Sequence, residues 1–312
     1  MRCPFLREAQ VKYCQGAAIK KMITRNPSDI TNERCSSAEY IHCPSLKQHH
    51  EEHAQHTRCP FLQESLVQYC SASSVTKYVP YSESSIIKCG NDGHRYCDLY
   101  LSVAAPSDRS KANHTPVVEG IPLPDSLAYA SNHMWLDQTG DSMCHIGADA
   151  FLTRILHSVK AINFAPPKNS GLPTVLLSVN GIDLQLVFPL PVHVTGTNTH
   201  LRVDPKKLLS HPYSSGWLFE GTLKEAGHTV PSEIPSPRFI RGKEAAAWMT
   251  EEVRHLQEFV HNQIVPSHFG TETVMMDGGA VHPEMLDQLD KQELLDIFNE
   301  FFSPYASWRK IV

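Results

Sequence analysis

Apolar and polar positions change their period several times along this chain. Residues 173–179 (PTVLLSV) and 182–188 (IDLQLVF) are two short β-type runs on either side of Asn180-Gly181. Asn-Gly between such runs predicts a two-residue hairpin with a type I′ turn, because both turn positions need positive φ. From 237 to 265 the period becomes helical. Ala245, Trp248, Met249, Val253, Leu256, Phe259 and Val260 mark one face of an amphipathic helix. Pro283 is expected to open a final helix through EMLDQLDKQELLDIFNEFF. Its apolar face is Leu286, Leu289, Leu294, Ile297, Phe298 and Phe301, and it is expected to pack on its own domain. Six acids on that helix stand against Lys291. Residues 103–125, rich in Pro and small polar residues, predict a linker, and 126–223 carries mainly strand signals.

The N-terminal third is organised by cysteine. Cys3, Cys14, Cys35 and Cys43 read C-x10-C-x20-C-x7-C, and Cys59, Cys70, Cys89 and Cys97 read C-x10-C-x18-C-x7-C. RCPFLREAQVKYC (2–14) aligns with RCPFLQESLVQYC (58–70), so the segment is an internal duplication. Small modules have little core of their own, and in a reducing compartment four cysteines favour a metal over two disulfides. The eight cysteines are therefore the candidate metal ligands, with disulfides and buried thiols as alternatives. The metal stays open between an iron–sulfur cluster, slightly preferred, and zinc; the C-x2-C knuckle common in zinc sites is missing.

Pro4 at a first helical position makes FLREAQVKYC read as a helix, which would hold Cys3 and Cys14 roughly 16 Å apart. One ion cannot bridge that gap, so either the helix is short, the chain folds back, or the modules share ligands. QHHEEHAQH (48–56), with His49, His50, His53 and His56, joins the modules and reads as a polar linker that just misses H-E-x-x-H. Tyr13, Tyr69 and Tyr96 each precede a cysteine and are expected to wall off a metal site or core.

The 312 residues carry 41% hydrophobic and 20% charged side chains and a net charge of −5 with 18 His counted neutral. That composition excludes a disordered chain and a strongly basic nucleic-acid binder. No apolar run reaches bilayer length and no secretory h-region is visible, so a cytoplasmic protein without membrane insertion is expected. G-x-S-x-G, P-loop and G-x-G-x-x-G motifs are missing. Cys144-His145 reads as a half-buried thiol beside an unrelated His, Asp141 and Asp149 show no acid–base pairing, and Trp135 and Trp217 read as core.

In the middle third, HMWLDQTGDSMCHIGADAF (133–151) and the spaced residues Pro189, Asn198, Pro205, Pro212, Tyr213, Gly216 and Trp217 resemble the H protein of the glycine cleavage system. The resemblance implies a barrel-sandwich hybrid of two small sheets and a carrier role, with lipoate on a lysine at a hairpin tip. Counting back from Pro189, that position falls on Gly181, and no lysine occurs between Lys168 and Lys206. The amide needs a primary amine, so no lipoate is expected there.

The combined expectation is an α+β chain. Two four-cysteine modules occupy 1–48 and 57–102, a linker 103–125, the H-like domain 126–232, an amphipathic helix 237–265 and an acidic helix with its tail 283–312. The expected role is a non-enzymatic accessory or electron-transfer subunit with protein partners in a larger complex. The alternatives are a carrier using a displaced lysine (Lys168, Lys206) or the Cys144 thiol, and a redox- or metal-sensing regulator.

Overall fold

The computed structural model describes residues 1–16, 21–23, 34–47, 57–79, 88–104, 115–139, 143–166, 171–223, 238–264 and 289–303. Two compact units emerge, Arg2–Cys89 and Gly90–Val312, with Met1 grouped in the second.

The first unit is built on an antiparallel sheet of order β2-β1-β3-β4, from β1 (Leu6–Cys14), β2 (Lys21–Ile23), β3 (Leu62–Cys70) and β4 (Lys77–Val79). The two copies of the duplication thus meet at the sheet centre. β1 and β3 pair over nine residues each, from Leu6↔Cys70 to Cys14↔Leu62, with Gln10 opposite Leu66. The helix expected over FLREAQVKYC is therefore corrected to a strand. Local propensity favoured the helix, but a partner of matching length more than fifty residues away satisfies the backbone of both segments and overrides it. Among its described residues Tyr40, Leu46 and Cys59 form a buried cluster, and Cys35, Cys43, Phe61 and Leu62 pack against them.

The second unit holds the main hydrophobic core. Its strands are β5 (Val117–Val118), β6 (Ile121–Pro122), β7 (Ala128–Ala130), β8 (Met134–Thr139), β9 (Met143–Ala148), β10 (Ala161–Phe164), β11 (Thr174–Val179), β12 (Ile182–Val187), β13 (Val192–Thr197), β14 (Phe219–Leu223) and β15 (Phe239–Ile240). A six-stranded sheet runs β13-β14-β9-β8-β7-β15 and a three-stranded sheet β10-β11-β12. Among the described residues no strand pairing joins these two sheets into a closed barrel. The expected linker 103–125 is corrected over its described C-terminal part: β5 and β6 form a hairpin, and Ile121 and Leu123 are buried. Residues 105–114 lie outside the described residues.

The Asn180-Gly181 hairpin forms as expected. Asn180 has φ 50° and Gly181 φ 78°, and Val179 pairs with Ile182. A helix spans Gly242–Phe259 and continues as one π-type turn over Val260–Ile264. The last helix spans Lys291–Phe302. It starts later than expected because the Asp290 carboxylate accepts from the amides of Gln292 and Glu293, while Glu293 reaches back to Asp290 N, a complete capping box. The expected start at 283–288 lies outside the described residues. Leu294, Ile297, Phe298, Phe301 and Phe302 of this helix are buried in the core of their own unit.

Candidate functional site

The motif residues of the middle third tie this unit together. Asn198 donates through Nδ2 to the carbonyls of Ser215 and Trp217, each at 2.8 Å. Tyr213 donates its hydroxyl to Pro122 O at 2.7 Å and accepts from Ala150 N at 2.9 Å. Gly216 is required sterically, since a Cβ there would stand 2.6 Å from Lys207 O. Trp135 is fully buried and lies across Gly147, its partner on β9, where a Cβ would come within 2.5 Å of the indole. The spacing of these residues is thus a packing requirement of the strands and turns they join.

The hairpin tip carries no side chain at Gly181. A Cβ built there would lie 3.7 Å from Nζ of Lys291, the exposed first residue of the last helix. Lys206 sits at the start of a short helix over Lys207–Ser210 (α-helical φ and ψ), and Lys168 lies outside the described residues.

A second arrangement centres on His133, whose backbone has φ 59° and whose side chain is fully buried. Its Nδ1 stands 3.0 Å from Asp149 Oδ2 and its Nε2 3.5 Å from Glu252 Oε2. Its ring stacks on Phe151 at 3.9 Å and meets Trp248 at 4.8 Å and Phe302 at 5.3 Å. Burial alone would lower its pKa, but the charge and hydrogen bond of Asp149, joined by those of Glu252, push it up to about 9. The expectation that Asp149 has no titrating partner is corrected. Asp149 folds back across the β8–β9 hairpin, with its amide on His133 O and its Oδ1 taking the Phe151 amide. Asp141 lies outside the described residues. Sequence reasoning missed Glu252, and the signal was there: the buried stripe of its helix is Ala245, Met249, Glu252 and Leu256, an acid in the middle of an apolar face.

Cys144 is fully rather than half buried in β9, and burial raises its pKa to about 12. It is a protonated core thiol, not an accessible nucleophile. Neighbouring His145 stacks on Tyr96 at 4.1 Å, and Tyr96 donates to Asp137 at 2.6 Å.

The β1–β3 pairing, rather than chain order, decides which of the expected metal ligands are neighbours along the backbone. Cys14 ends β1 opposite Leu62, three residues beyond Cys59. The Cys59 amide donates to Cys35 O at 2.9 Å, and Cys35, Cys43 and Cys59 share one apolar cluster with Tyr40 and Phe61. Burial, then the neighbouring thiols of Cys59, Cys43 and Cys14, push the Cys35 pKa up. In the other copy the Cys3 amide donates to Cys89 O, again at 2.9 Å, and Cys70 lies opposite Leu6. Cys97 belongs to the second unit, where it caps a short helix over Asp98–Val103. None of the nine cysteines forms a disulfide. Among the described residues no group of three or more His, Cys, Asp and Glu side chains stands close enough together to hold a metal ion, and all eight expected ligands are among those residues. The histidines of 48–56 lie outside the described residues.

Among the described residues no helix is long and apolar enough to cross a membrane. No family model matches the chain. It is similar to the glycine cleavage system H protein of Mycobacterium avium (strain 104), at 27% identity over 109 residues, 33% of this chain and 81% of that protein. It is also similar to the H protein of Mycolicibacterium smegmatis, at 28% over 120 residues, 33% and 86%. A crystal structure of an H protein from Mycobacterium marinum is 18% identical and covers 40% of this chain and 97% of that one, with a TM-score of 0.33. One third of the chain is thus H-protein-like in sequence.

Proposed function

We propose that this chain is a non-enzymatic accessory subunit of a multi-protein complex. Its H-protein-like domain, taken as a barrel-sandwich hybrid, docks partner proteins, and its duplicated thiol unit holds metal, either an iron–sulfur cluster or zinc. The observation that carries the reading is the hairpin tip: Gly181 offers no atom on which an acyl amide can form. The buried, protonated Cys144 does not replace it. With a cluster the subunit would relay electrons; with zinc it would be a scaffold.

One observation favours a second reading. The exposed amine of Lys291 approaches the same tip from a different element. A carrier of the lipoyl type would then use Lys291 as its displaced lysine. The test is intact mass of the full chain after incubation with lipoate, ATP and a lipoate–protein ligase. Unchanged mass is expected. A lipoyl amide that disappears in Lys291→Arg would overturn the accessory reading and establish the carrier.

A further inference from the structure

Cys3 and Cys14 flank β1, and Cys59 and Cys70 flank β3. A nine-residue strand is about 27 Å long, whereas sulfurs on one ion stand about 4 Å apart given Zn–S bonds near 2.3 Å. Cysteines at opposite ends of one strand therefore cannot share an ion. Antiparallel pairing supplies the alternative, because it sets the end of β1 beside the start of β3. Gln15 donates its amide to Phe61 O at 2.9 Å there, extending the seam past Cys14 toward Cys59. Cys35 is joined to Cys59 through the backbone, and Cys43 packs in the same apolar cluster.

We infer that a single thiophilic ion, on binding, draws together Cys14, Cys35 and Cys43 of the first copy and Cys59 of the second, whose side chains are not grouped as ligands before it binds, so that the centre staples the duplicated copies across the β1–β3 seam. The inference rests on the metal-binding part of the proposed function and specifies its ligand set. Cys14, Cys35 and Cys43 are partly exposed residues, which gives an ion a route from solvent, and Cys59 is buried. On binding, the thiols lose their protons to solvent and the resulting thiolates bond to one cation. Tyr40, Leu46 and Phe61 form an apolar wall on the protein side.

The test uses the full chain purified anaerobically after growth with zinc and iron. Metal per chain, the visible spectrum and site-resolved alkylation of each cysteine are measured before and after chelation. Cys14, Cys35, Cys43 and Cys59 are expected to be protected together and released together. Cys59→Ser is expected to lose about one equivalent of metal, the same loss as Cys35→Ser. Colourless protein with zinc and coloured protein with iron both support the site and identify its occupant. Because either variant could unfold the unit, the wild-type alkylation pattern decides. Cys59 alkylated at full rate while metal and the other three stay protected overturns the shared ligand set and leaves metal binding standing. A metal-free chain whose eight cysteines react alike with and without chelator overturns the metal reading itself.

Discussion

The two units solve the same problem with different means. Gly90–Val312 buries Trp135, Tyr129, Phe151, Phe188, Phe219, Phe298, Phe301 and Phe302 almost completely. Each such side chain contributes roughly 1.5–3 kcal/mol or more to folding by leaving water. Among the described residues of Arg2–Cys89, Tyr40, Leu46 and Cys59 form a buried apolar cluster, and the copies are joined by the long β1–β3 pairing. Backbone hydrogen bonds alone add little net stability, so a cross-link between the copies would add to what holds the seam together. A metal held by the cysteines of this unit, as proposed above, would provide one, whereas the cysteine of the larger unit's sheet, Cys144, behaves as a hydrophobe.

The sharpest way to break this contrast is to damage the large core. Trp135→Ala removes the side chain that fills the space over Gly147, and we expect a loss of about 3–5 kcal/mol by denaturant unfolding followed at the second unit. Gly147→Val attacks the same contact from the other side. A loss below about 1 kcal/mol in both would show that the Trp135 layer is not the keystone of that core.

A comparable effect is expected at His133. Asp149→Asn leaves the imidazolium beside Glu252 alone in a fully buried setting, with an expected cost of about 3 kcal/mol. The pH dependence has a definite sign. The folded pKa is raised above the ordinary 6.5, so the contribution is fully present below pH 6.5 and is lost as pH rises through about 9. Thermal melts between about pH 6 and pH 10 should therefore fall in the wild type and fall less in His133→Phe. A flat wild-type profile would refute the raised pKa. Chelation should affect the other unit: amide exchange is expected to accelerate in β1 and β3 and to stay unchanged in β8 and β9. Equal acceleration everywhere would dissolve the contrast.

These residues also mark where the sequence was readable. Asn180-Gly181 was legible because positive φ at two adjacent positions is a local demand that few residue pairs meet. The motif from Asn198 to Trp217 was legible because backbone contacts fix its spacing. β1 was not, because Pro4, Glu8 and Lys12 are compatible with a helix and the strand's partner is the other copy of itself. The ligand set inferred above could not be read from the sequence for the same reason, since it can be argued only once β1 and β3 are strands. Asp149 and Glu252 were missed because both meet His133 through tertiary packing, although an acid in the middle of an apolar helical stripe was a visible warning.

The smallest effect is expected at the hairpin tip, where the two readings of function diverge. Gly181→Lys places a β-carbon in the left-handed region, at a cost of about 1–2 kcal/mol, and sets a second amine beside Lys291. The two like charges meet on an exposed surface, where water and salt screen them, so the fold should tolerate the change. If the domain serves docking alone, the variant should remain unmodified by a lipoate–protein ligase, because an amine on the turn does not by itself restore the surface that such an enzyme reads. If the added lysine is lipoylated efficiently, the recognition surface is intact and only the amine was lost. Modification of Lys291 in the wild type, abolished when Gly181→Lys crowds it, would instead assign the carrier amine to the last helix.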